Sequence, residues 1–199
     1  MINLNDNKYF LYKRRKDSKE FKIYFETSYF YNIRFFKRNY LPISICIWDP
    51  KWYKQPIKQF NNIIGMTYNA LIPRKYDSEN DCEHCIEVNK EDFDSGKFLG
   101  NIHCNYLENY RKQLSIYNVE RTLKDICEKA DNHYNFDNFV MNNNYDNNND
   151  NIKNEIHLIF IGYEVPERIC TERYILAEWI EKNSEYKVNE LSKKCKNCN

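Results

Sequence analysis

Cys170, Arg173 and Glu164 are the residues whose types and spacing could do chemistry in this chain. They fall in the stretch 155–183, EIHLIFIGYEVPERICTERYILAEWIEKN, which reads as a buried strand, a short turn and a helix. A cysteine at a helix N-terminus meets the positive end of the helix dipole and unpaired N–H groups, which favours the thiolate. An arginine three residues on adds positive charge and can hold a carboxylate or phosphate through two parallel hydrogen bonds. Glu164, just before the turn, can orient that arginine or accept a proton. Thr171 is the expected N-cap of the helix, and Tyr163 directly follows the strand; both join Arg173 as candidate ligand contacts. The pattern suits a thiolate nucleophile or an anion cradle. A plainer reading competes with it, since cysteines are often buried and an Arg–Glu pair often fastens a turn.

A second group could hold zinc. Cys82 and Cys85 form one C-x-x-C pair, Cys195 and Cys198 another, and each has the bite of half a tetrahedral site. The two pairs lie far apart in the chain, beyond the usual ribbon spacing. A local set of Cys82, Cys85, His103 and Cys104 is the alternative, with awkwardly adjacent ligands. Basic and aromatic residues mix in Lys13–Lys16 and in YFYNIRFFKRNY, 29–40. Grooves for single-stranded nucleic acid mix them in the same way. An amphipathic helix with core aromatics and solvated charges explains them more simply.

The elements that must position these residues follow from periodicity. EFKIYF, 20–25, alternates like a strand, and Thr27 and Ser28 are placed to cap a helix over 29–37. LPISICIW, 41–48, is a continuous apolar run, as in a buried parallel strand. The stretch 63–73 fits a short helix or a strand equally well. Helices are expected over 105–114 and 118–130, the second capped by Asn118, and a strand at 156–162. Asn142–Asn154 is low-complexity and cannot bury a face, so a disordered insert is expected there. Strands separated by helices predict a single α/β domain over 20–183, a mainly parallel sheet flanked by helices. Residues 1–19 read as an extension and 184–199 as a charged tail.

Composition narrows the function. Lys+Arg 30 against Asp+Glu 29 leaves a net charge of +1, so the chain as a whole has no polyanion-binding footprint. No apolar run is long enough to span a membrane, and the N-terminus does not read as a signal peptide. A cytoplasmic protein with reduced thiols is expected. Its four glycines form neither a dinucleotide fingerprint nor a P-loop, and the nucleophile-elbow and zincin motifs are missing from the sequence.

IGYEVPERICTERYILAEWI resembles the closing motif of the bacterial domain-of-unknown-function family numbered four-eight-eight. That motif is a strand ending Leu-Cys-Tyr-Glu, a turn, Cys-His-Arg, and a helix ending Ala-Glu-Trp. FETSYF, LPISICIWDPKWY and LENYRKQL resemble earlier family segments. The resemblance implies an α/β fold and a site at Tyr163, Glu164, Cys170, Arg173, Glu178 and Trp179. It implies no reaction. Gly162 stands where the family strand has cysteine, and Cys-Thr-Glu-Arg replaces Cys-His-Arg, so a site depending on those groups would be degenerate. The reading that follows is a nucleotide or nucleic-acid component bound at the junction Glu164–Arg173. The alternative is a zinc-stabilised interaction module without catalysis.

Overall fold

The computed structural model describes residues 8–74, 105–140, 154–163 and 171–191. Six strands form one sheet: β1 (Phe10–Lys13), β2 (Glu20–Tyr29), β3 (Tyr40–Ser44), β4 (Met66–Thr67), β5 (Glu155–Gly162) and β6 (Val188–Glu190). The main order is β1-β2-β5-β3-β4, and β6 also pairs with β2. Every pairing is parallel except β1–β2. The sheet is therefore mixed and mostly parallel, in an α/β arrangement.

β2 is the longest strand and the organiser. One of its edges meets β5 from Lys22 to Tyr29. Its other edge is shared: β1 takes Glu20–Ile23 and β6 takes Phe25–Thr27. The sheet thus draws in strands from the stretches read as an extension and as a tail. Ile156, Leu158, Ile159, Phe160 and Ile161 of β5 are buried on both faces, as a central parallel strand requires.

Among the described residues three α-helices accompany the sheet: α1 (Asn105–Ser115), α2 (Val119–Tyr134) and α3 (Glu172–Asn183). Asn118 caps α2 as expected, its side-chain oxygen accepting from the Arg121 N–H. The α2 and α3 contacts fall on one face of the sheet. Asp131 of α2 accepts from the Tyr12 hydroxyl, and Arg173 of α3 lies over Gly162. The opposite face carries a stack across three strands, with the His157 ring between Tyr24 and Tyr40 at 4.9 and 4.2 Å.

The helix expected over 29–37 does not form. β2 continues to Tyr29, and a 3-10 helix spans Phe30–Phe35. Neither Thr27 nor Ser28 is free to cap. The Thr27 hydroxyl donates to Glu190, and the Ser28 hydroxyl donates to the Leu191 carbonyl. The undecided stretch 63–73 holds both β4 and a short 3-10 turn, Asn69–Leu71. The Asn-rich insert lies largely outside the described residues.

Candidate functional site

β2 and β5 end level, with Tyr29 opposite Gly162 in their last registered pair. From β2 the chain passes to β3, beyond β5; from β5 it passes to β6, beyond β2. Neighbouring parallel strands whose connections leave in opposite directions open a crevice at their carboxyl ends, the usual ligand position in open α/β sheets.

A cavity of ≈ 560 Å³ occupies this place, bounded by Tyr29 and Tyr163 at the two strand ends. Its floor is buried and made by Tyr29, Phe30 and Ile33. Its rim is open: Tyr31 is 50%, Trp52 44% and Tyr163 63% exposed. The 3-10 helix makes this division. Asn32 turns inward and donates to the Leu191 carbonyl at 2.7 Å and to Ser28 Oγ at 3.1 Å, which ties the turn to the chain just past β6. Tyr31 and Arg34 are left facing out.

The opposite wall comes from the loop between Pro50 and Pro56. Its 3-10 turn, Lys51–Lys54, buries Tyr53 and leaves Trp52 exposed. Tyr53 is held by hydrogen bonds to the Pro42 and Met66 carbonyls, and its ring lies flat on Gly65, where a Cβ would meet ring atoms at 2.1 Å. Phe30 meets Tyr53 edge-on at 5.0 Å, Tyr163 at 5.9 Å and Trp52 at 6.0 Å. The floor ring therefore touches both rim rings, Trp52 and Tyr163, and the buried Tyr53 behind them.

Arg34 is the one cation lining the cavity among the described residues. Its guanidinium lies 3.3 Å from the centre of the Tyr31 ring. Stacking on a ring uses the face of the guanidinium and leaves its edge N–H groups for an anion.

The residues singled out in the sequence separate. Tyr163 stands at the cavity mouth. Arg173 is fully buried and does not line the cavity; it donates to Glu190 Oε1 at 3.2 Å, and its guanidinium lies 5.9 Å from the Tyr29 ring. Glu190 Oε2 in turn accepts from the Thr27 hydroxyl at 2.6 Å. Thr171 is buried at the N-cap position of α3, but its side chain makes no capping bond. Glu164 and Cys170 lie outside the described residues, as do Cys82, Cys85, His103, Cys104, Cys195 and Cys198. Among the described residues no group of three or more His, Cys, Asp or Glu side chains could hold a metal ion, and no helix is long and apolar enough to cross a membrane.

Sequence reasoning missed Trp52, Pro50 and Ile57 as partners of the 29–34 stretch. The mixed basic and aromatic run 29–40 was a usable signal for half of this cavity. It also passed over Cys46, whose thiol lies 3.4 Å from the Glu172 carboxylate at the start of α3.

The chain matches no family model, no curated protein and no solved structure. The functional reading therefore rests on this geometry.

Proposed function

We propose that the chain binds a nucleobase-containing ligand in the aromatic cavity at the carboxyl ends of β2 and β5. The observation that carries this reading is the pairing of exposed rings, at a topological switch point, with a cation that makes no ion pair among the described residues. Tyr31, Trp52 and Tyr163 offer ring faces, and Arg34 offers edge N–H groups. A base stacked on an aromatic side chain gains about 1–3 kcal/mol. A phosphate on the guanidinium edge adds charge-assisted hydrogen bonds.

Within this reading, Arg173 supports Tyr29 in the floor and does not hold the ligand. The resemblance to the family numbered four-eight-eight belongs to the same proposal, since its closing motif contributes Tyr163 to the cavity mouth and Arg173 beneath it. Cys170 as nucleophile with Glu164 as base would add a reaction to this binding site.

The test is calorimetric titration of the full chain with adenosine and uridine monophosphates, repeated with Trp52→Ala and Tyr31→Ala. Both replaced side chains are about half exposed, so the fold is retained. Loss of one stacking ring weakens binding by roughly 5- to 150-fold. Binding that is unchanged in both variants would exclude the cavity as the site.

A further inference from the structure

Resting on the base pocket above, we infer that its occupant is a single-stranded nucleic acid, with one base in the cavity and its neighbouring phosphates on a basic rim. The chain is nearly neutral overall, at +1. The stretch 30–63, which builds most of the cavity, is not neutral: it carries Arg34, Lys37, Arg38, Lys51, Lys54 and Lys58 against a single acid, Asp49.

That acid is already engaged. The Asp49 carboxylate accepts from the Ser44 hydroxyl and, at 2.6 Å, from the Thr67 hydroxyl. Elsewhere on the surface, lysines sit against acids, as in Lys8–Glu185, Lys129–Asp125 and Lys182–Glu178. Among the described residues, Arg34, Lys51, Lys54 and Lys58 make no ion pair, and all four are exposed. Three of them sit on the short turns Lys51–Lys54 and Lys58–Phe60, which adjoin the lining residues Pro50, Trp52 and Ile57.

The ring surface also exceeds one base. Phe35 is 57% exposed and meets Tyr31 edge-on at 6.3 Å, a second platform beside the first. A mononucleotide has one base and one phosphate group and leaves most of this surface unused. A strand offers successive bases to the rings and successive phosphates to the lysines, the combination by which single strands are held without a sequence code.

The experiment is fluorescence anisotropy with end-labelled eight-nucleotide oligo-thymidylate and oligo-uridylate over a salt series. Thymidine monophosphate, added as a competitor, reads the base pocket alone. The oligomer is expected to bind at least about tenfold more tightly than the mononucleotide. Log affinity should fall with log salt by about 0.7 per phosphate contacted. Replacing Lys51, Lys54 and Lys58 together by Gln should cost the oligomer at least about tenfold and lower the salt slope by about 2. Mononucleotide affinity should be unchanged, and the triple Arg replacement should retain oligomer binding. An oligomer that binds no better than the mononucleotide, without a salt slope, overturns the strand and leaves the base pocket standing. Failure of both ligands to bind overturns the pocket reading itself.

Discussion

The Arg173 side chain lies directly over Gly162: a Cβ there would come within 2.7 Å of Arg173 Cγ and 2.8 Å of a guanidinium nitrogen. Gly162 closes β5 and Arg173 lies in the first turn of α3, so the contact joins the helix to the sheet beside the cavity. In space they form one feature, because the residue that lacks a side chain makes room for the buried arginine.

Gly162→Ala should therefore cost about 1–3 kcal/mol, the usual range for forcing an extra methyl into a packed site. Urea unfolding measures it. In an Arg173→Ala background the same replacement should cost less, because the Cγ and guanidinium atoms that the methyl would meet are gone. An equal cost in both backgrounds would mean that Arg173 is not what the methyl meets.

Arg173 and Glu190 form a buried pair, with exposures of 0% and 15%. Removing one member strands a charge, which typically costs about 3–5 kcal/mol. Arg173→Met should show that loss, and adding Glu190→Gln should recover part of it by neutralising the stranded carboxylate. A double mutant as unstable as the sum of the single ones would contradict the pairing. The same pair explains part of what the sequence concealed. β6 is three residues long and is recognisable only by what its Glu190 and backbone meet on β2.

The Tyr134 hydroxyl donates to the Pro42 carbonyl at 2.6 Å and accepts from the Met66 N–H at 2.9 Å. Tyr134→Phe leaves that buried N–H unsatisfied, which costs about 1–3 kcal/mol. Chemical denaturation reads the loss. A change below about 0.5 kcal/mol, well under that range, would mean that the bridge between α2 and β4 contributes little.

Burial pushes the phenols of Tyr53, Tyr110 and Tyr134 above their ordinary value of about 10. The unfolded chain releases these protons near pH 10 while the folded chain keeps them. The stability they confer is therefore fully present below that pH and lost as pH rises above it. Phenolate absorbance from these residues should appear together with loss of circular dichroism. Their full ionisation near pH 10 with the fold intact would contradict the burial.

How much was legible depends on the range of the contacts. β5, α2 and the helical 172–183 segment were readable because each carries its own hydrophobic period or cap. The Asn118 cap and the apolar run IHLIFIG are local signals. β1 and β6 were not readable, since four- and three-residue edge strands borrow their register from β2. The 29–37 stretch was misread because its two candidate caps form long-range bonds, to Glu190 and to the Leu191 carbonyl. The sequence singled out Tyr163, which stands at the cavity mouth. It could not join Tyr163 to Trp52 and Tyr31, because the register of β2 against β5 makes that meeting.

Mapping a photo-crosslinked ligand tests the central claim most directly. The full chain, irradiated with an azido-substituted adenosine monophosphate and digested, is examined by mass spectrometry for the modified residue. The account predicts adducts on Tyr31, Trp52 or Tyr163, suppressed by excess unmodified nucleotide. Adducts confined to other surfaces, or labelling that excess nucleotide leaves untouched, would contradict it.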